Sequence, residues 1–231
     1  MTSTTPDLWH HYGRARVSND RDVSGAFRWN WSQDAGPGPE VLGELTGARV
    51  GDLGAGAARH AAYLATRHSP AQVVAVDSSP AQYAIATDLY GHLAPRLSIV
   101  RADVVGHLQA MPAMYDGLYS VFGAVDFTDP CRLLPTAAAA LRPGGRLVFS
   151  TLAHYLNGTA ARCDVVPAAV RARTPDGKEA TMHRWVLQDR LWATLLDEAG
   201  FTRVAVTTLS ASDDGPCTAD TLLVSARLPT Q

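Results

Sequence analysis

The sequence predicts an α/β fold, an open and mostly parallel sheet wrapped on both faces by helices and finished by an antiparallel hairpin. Three observations predict it. Apolar strand-like runs alternate with helix-like runs through the first two thirds of the chain, the pattern of repeated βαβ units. Three successive strand-like runs end in an aspartate, at Asp52, Asp77 and Asp103. The last two strand-like runs, FTRVAVTTLS and ADTLLVSARL, are joined by only ASDDGPCT, too short for a parallel crossover, so they must pair antiparallel.

The elements follow in order. After an aromatic lead-in, a helix is expected over residues 39–45, then a strand ending at Asp52 and a helix over 58–66. AQVVAVD is the second strand. Pro80 opens the next helix, which runs to Tyr90, because proline is tolerated where the first N–H groups have no partner. RLSIVRAD is the third strand and residues 115–121 the fourth. Thr128 or Asp129 can cap a helix reaching Leu141, RPGG turns the chain, and RLVFSTLA is the fifth strand. All five run in one sense if the crossovers are right-handed. A helix over 189–199 stops at Gly200 and leads into the hairpin.

Composition excludes several function classes. The 231 residues are 46% hydrophobic and carry a net charge of −2, enough for one large core and too little positive charge to seek phosphate backbones. A nucleic-acid partner is not expected. The start, MTSTTPDLWHHYGRA, has no apolar core of signal-peptide length, and no uncharged run could span a bilayer, so the expectation is a cytoplasmic protein with no membrane partner. Cys131, Cys163 and Cys217 are far apart with no His at ligand spacing, which predicts reduced thiols and no metal site. Cys131 reads as a packed thiol.

The informative stretch is VGDLGAGAARHAAYLA, an acidic residue, two glycines one residue apart and a helix-forming run. Glycines there imply that backbone approaches a ligand, although a tight turn needing small residues would look alike. A dinucleotide fingerprint would need glycine where Arg59 stands. The segment instead resembles the acidic-G-x-G-x-G pattern of class I S-adenosylmethionine-dependent methyltransferases, with Ala58 in place of the third glycine. That resemblance implies a doubly wound, Rossmann-like, seven-stranded sheet and S-adenosylmethionine as cofactor. It implies that Asp52, Leu53, Gly54, Ala55 and Gly56 hold the methionine portion. Asp77 and Ser78 would hold the ribose, Asp77 being otherwise a helix cap. Asp103 and Val104 would meet the adenine, and Phe122 and Gly123, in YDGLYSVFGAV, would pass the reacting methyl. The LRPGGRLVFS and LLDEAGF segments resemble the same family.

The acceptor is less legible. An N/D-P-P-Y/F segment for base amino groups is missing at Phe122, Gly123, Ala124 and Val125, and the Asp-Asn pair of metal-dependent catechol enzymes is missing after the fifth strand, so no divalent metal is implied. Residues 1–48 read as an aromatic cap with a lead-in helix, 49–231 as the methyltransferase domain, and 155–188 as a substrate-covering insertion with a hairpin at TPDGK. Tyr12, Trp29, Trp31, Asp126, Tyr155 and His183 are the candidate acceptor-binding residues. His154, just past the fifth strand, is the candidate base, its unperturbed pKa near 6.5 suiting proton removal. The expected activity is methyl transfer to an oxygen or nitrogen of a small molecule, and the composition resembles actinobacterial enzymes that tailor secondary metabolites. RNA or protein methylation, or a catalytically inactive cofactor-binding subunit, are the alternatives.

Overall fold

The computed structural model describes residues 6–12, 23, 25–211 and 218–230. Its sheet has the order β3-β2-β1-β4-β5-β9-β8, built from β1 (Arg49–Leu53), β2 (Gln72–Asp77), β3 (Leu97–Arg101), β4 (Tyr115–Val121), β5 (Leu141–Leu152), β8 (Thr202–Leu209) and β9 (Thr221–Arg227). β1 to β5 pair parallel, and β9 pairs antiparallel with both β5 and β8. The predicted fold class is therefore observed. β1 lies beside both β2 and β4, so the strand order reverses there. Open α/β sheets bind ligands at the carboxyl edge of that reversal.

Local chemistry explains the elements. β2 reads VVAV through its centre and is buried there, as a parallel strand covered on both faces must be. Helices α1 (Arg59–Arg67) and α2 (Pro80–Tyr90) pack on one face of the sheet. The other carries α3 (Val104–Gln109), α5 (Pro130–Ala140) and α6 (Asp189–Glu198). Between α3 and α5 the single turn α4 (Ala124–Phe127) follows β4 directly. Ser79 Oγ accepts from the Gln82 N–H to cap α2, and Asp129 accepts from the Cys131 N–H to cap α5, each with proline just inside the helix.

Five expectations are corrected. The third strand stops at Arg101 because Asp103 caps α3, a helix the sequence did not announce. RPGG is no separate turn: pairing jumps from Tyr115–Leu141 to Gly117–Arg146, so these residues bow out of the ladder as an irregularity within β5. The lead-in helix shrinks to a 3₁₀ turn, Pro39–Leu42. The lead-in is not wholly a cap, since Phe27, Trp29, Leu42 and Leu45 are buried in the core beneath α1. Cys131 is exposed, not packed, at the start of α5. Cys217 lies outside the described residues.

The insertion forms a separate two-stranded sheet, β6 (Ala168–Arg173) and β7 (Glu179–Arg184), closed by the expected turn. Residues 168, 170 and 172 and 180, 182 and 184 are the less exposed set on the two strands.

Candidate cofactor and acceptor site

A cavity of about 310 Å³ opens at the carboxyl edge of β1, β2, β3 and β4. Gly54, Ala55 and Gly56 form its floor with Phe122, Gly123 and Ala124. Asp77, Ser78, Asp103 and Val104 line one end, Arg59 and His60 another, and Trp9, Tyr12 and Gln33 the roof. Six sequence segments thus meet where the topology reverses.

The floor depends on two glycines. A Cβ at Gly54 would stand 2.2 Å from the Ala124 nitrogen, and one at Gly123 would stand 2.5 Å from the Leu53 carbonyl oxygen. The loop after β1 and the loop after β4 are therefore in backbone contact. Ser120 Oγ donates to the same Leu53 carbonyl and ties them further. Phe122 takes a left-handed φ of 49° between these contacts, an uncommon conformation for a side-chain-bearing residue and a form of local strain typical of functional loops.

Asp77 lies at the centre of the polar end. Its Oδ2 accepts from the Gly56 N–H and its Oδ1 from the Ser79 N–H, both at 2.8 Å. Two accepted bonds leave further lone pairs on a carboxylate that lines the cavity, which fits a vicinal diol. Burial pushes its pKa up, opposed by the two backbone donors. Asp103 is exposed at the cavity mouth. It spends Oδ1 on the Gly106 N–H, while Val104, the first residue of α3, has an N–H with no acceptor within its helix. A flat heterocycle with a donor and an acceptor on one edge fits that pair.

Asp52 and Leu53 do not line the cavity. Leu53 is corrected as a ligand contact, because its side chain is in the core and its carbonyl is taken. Asp52 is buried, its Oδ2 accepting from the Tyr119 hydroxyl at 2.9 Å. Desolvation drives its pKa to about 7, the Tyr119 hydrogen bond opposing and the charge of Asp77 adding. A buried carboxyl in this state favours a nearby cation.

The acceptor residues fare differently. Tyr12 lines the cavity. Trp29 is fully buried, its Nε1 donating to the Gly38 carbonyl, and is a core residue. Trp31 packs edge-on to Phe122 at 5.0 Å without lining the cavity. Asp126 is also corrected: fully buried, it accepts from Arg184 Nε at 2.9 Å and from Nη2, and so anchors β7 to the loop after β4. Tyr155 packs with Leu152, Val186 and Ala219, and His183 faces outward on β7. His154 does not stand at the cavity. Its Nδ1 donates to the Tyr155 carbonyl and its Nε2 accepts from the Asp220 N–H, so both ring nitrogens serve the backbone. It is not placed to take a proton from an acceptor.

The roof holds what the sequence reading missed. Asp7 Oδ2 accepts from Ser79 Oγ and from the Ala81 N–H, and Gln82 Nε2 donates to the carbonyls of Trp9 and Tyr12. His11 Nε2 reaches the Thr174 carbonyl at the hairpin tip. Residues 7–12 therefore form a strap from the start of α2 to the insertion. Trp9 stands edge-on to Phe127 at 4.6 Å. The signal was present in Asp7 and the aromatics that follow, but only the fold brings α2 beneath them. His60, on α1, also lines the cavity. Burial lowers its pKa to about 4, with Arg59 adding, so it is a neutral imidazole against Phe27 at 4.6 Å.

Residues 50–145 match the family described as "Methyltransferase domain". Trans-aconitate 2-methyltransferase of Deinococcus radiodurans is 30% identical over 150 residues, 65% of this chain, and the chain spans half the length of that relative. Among solved structures, an S-adenosylmethionine-dependent methyltransferase from Mesorhizobium loti superposes with TM-score 0.57 at 22% identity, covering 82% of this chain and 96% of that one. The 1,6-didemethyltoxoflavin-N1-methyltransferase of Burkholderia thailandensis, bound to 1,6-didemethyltoxoflavin and S-adenosylhomocysteine, superposes with TM-score 0.52 at 22% identity, covering 80% and 72%.

Proposed function

We propose that this chain is an S-adenosylmethionine-dependent methyltransferase whose acceptor is a small molecule, in the manner of a natural-product tailoring enzyme. The observation that carries it is the convergence of the glycine floor, Asp77 and the Asp103–Val104 pair in one cavity. The matched family and the Burkholderia neighbour's bound S-adenosylhomocysteine support the cofactor. That neighbour's 1,6-didemethyltoxoflavin supports a small acceptor.

When bound, the cofactor supplies an activated methyl group on a sulfonium. Asp77 binds the ribose hydroxyls, Asp103 and the Val104 N–H read the adenine edge, and the floor backbone at Phe122 and Gly123 fixes the direction of approach. Trp9, Tyr12 and Phe127 exclude water above it. Direct displacement needs chiefly alignment, which this rigid floor provides.

Asp77→Ala is expected to weaken S-adenosylhomocysteine binding by about 1.5–3 kcal/mol, the scale for hydrogen bonds to charged groups. Calorimetry on the folded variant measures this, and unchanged affinity would remove the assignment.

Asp52 gives a pH signature. Its folded pKa of about 7 lies above the ordinary aspartate value of 3.8, so the folded state holds the proton longer and free-protein stability falls as pH rises between those values. An ammonium bound near it favours the ionised form. Affinity for S-adenosylhomocysteine is therefore expected to rise with pH through about 7 in the parent and to be flat across it in Asp52→Asn. Parallel profiles for the two proteins would separate Asp52 from the cofactor.

A further inference from the structure

Asp7 spends both of its carboxylate oxygens. Oδ1 accepts from the Trp9 N–H at 3.0 Å, and Oδ2 accepts from Ser79 Oγ at 2.9 Å and from the Ala81 N–H at 3.2 Å. Ser79 is the buried cap of α2, and its own N–H goes to Asp77 Oδ1. Asp77 Oδ2 in turn accepts from the Gly56 N–H in the floor. One run of hydrogen bonds therefore leads from the floor, through the carboxylate assigned to the ribose and the first turn of α2, to the backbone of a tryptophan in the roof. Bonds accepted by a carboxylate are roughly twice as strong as those between neutral groups.

Gln82 adds a second clamp from the same turn of α2. It is buried and lines the cofactor cavity, and both hydrogens of its amide are spent on the carbonyls of Trp9 and Tyr12, at 3.0 and 2.8 Å. The Trp9 ring lines the cavity and stands edge-on to Phe127 and to Tyr12, at 4.6 and 5.4 Å. Elsewhere the strap is lightly held. Among the described residues none of its backbone groups pairs with a strand of the main sheet, and its reach to the hairpin is the exposed bond between His11 and the Thr174 carbonyl. Segments with few buried contacts are those that open locally. The strap can therefore lift without disturbing the sheet once the clamps at α2 let go.

We infer that the strap is the gate by which S-adenosylmethionine enters and S-adenosylhomocysteine leaves, and that Asp7 is the positioning residue that latches it. The inference rests on the methyltransferase reading. Asp7 does not line the cavity and acts through Trp9, whose ring it sets over the opening. The latch shares one support with the ribose contact, because the turn that carries Ser79 holds both Asp7 and Asp77. A ligand that orders this turn favours the latch, and by linkage the latch favours the ligand to the same degree. Trp9 also lines a second cavity, about 660 Å³, between strap and hairpin, so latching completes a wall on that side as well.

The test measures the rates of S-adenosylhomocysteine binding to the whole chain by surface plasmon resonance. Asp7→Ala is expected to raise the dissociation rate by about tenfold or more, the effect of losing a hydrogen bond to a charged group, and to raise the association rate by about threefold. Loss of a direct ligand contact would speed dissociation alone, whereas an unlatched gate speeds both. Trp9→Ala should also raise both rates, and adding Asp7→Ala to it should change neither by more than about twofold, since the ring through which Asp7 acts is already gone. The melting temperature of ligand-free Asp7→Ala should stay within about 4 °C of the parent, the scale of one lost cap. Either rate unmoved in Asp7→Ala, or effects that multiply in the double variant, would overturn the inference. A fall in melting temperature well beyond that scale would make Asp7 a structural residue and overturn it as well. Failure of the parent to bind S-adenosylhomocysteine at all would instead overturn the underlying methyltransferase reading, and this inference with it.

Discussion

Replacing Gly54 with alanine is expected to abolish measurable S-adenosylhomocysteine binding and to lower the melting temperature by roughly 6–12 °C, taking about 3 kcal/mol and 2–4 °C per kcal/mol for a domain of this size. The new methyl would stand 2.2 Å from the Ala124 backbone nitrogen, and neither loop can yield by rotating a side chain. The φ of 77° at Gly54 adds a left-handed penalty of about 1–2 kcal/mol for a residue with a Cβ. To make room, the loops after β1 and β4 must part, and the floor parts with them. Thermal unfolding followed by fluorescence, with calorimetry on the same sample, reads both effects. A variant that binds normally would mean that the two loops are not held in contact.

Arg184→Met should destabilise the protein by about 3–5 kcal/mol, because it strands the fully buried Asp126 without its cation. Burial already pushes the Asp126 pKa upward, with Arg184 as the leading opposing influence. Without the guanidinium the folded value climbs further, so the deficit should grow as pH rises above the unfolded carboxyl range. The double variant, Asp126→Leu with Arg184→Met, should recover most of the loss, since the uncompensated charge is gone. Arg184 also lies over the rings of Trp31 and Phe127, at 5.4 and 5.2 Å, and Phe127 lines the cofactor cavity. The single variant should therefore also show poorer acceptor binding. Equal stability of Arg184→Met and parent in urea unfolding at neutral pH would contradict the anchoring role.

The sheet was legible because its information is local. An apolar run such as VVAV, a proline at a helix start or a connection too short to cross over each restricts the backbone within a few residues. The loops that line the cavity were legible for the same reason, since Gly54, Gly56 and Asp77 stand at strand ends that the pattern already located. The roof was not. Nothing near His154 reveals that the Asp220 N–H will occupy its Nε2, and nothing near Asp126 reveals that Arg184 will arrive from a hairpin that follows much later in the chain. The aromatics show the same limit: Phe27, Trp29 and Trp31 do alternate, yet Phe27 and Trp29 are buried beneath α1 while Trp31 turns toward Phe122. Alternation assigns a face, and only long-range packing decides what that face meets.

The hairpin of β6 and β7 pairs with no strand of the main sheet. Its sequence can therefore drift, lengthen or be exchanged without changing the register of a single strand beneath it, provided that Arg184 still meets Asp126. Selection can act on floor and roof as separate inheritances, one constrained by glycine contacts that admit no side chain, the other free to follow a new acceptor. On the proposed reading, a graft of this hairpin and the strap that meets it is the natural unit for transplanting acceptor choice between chains that share the floor.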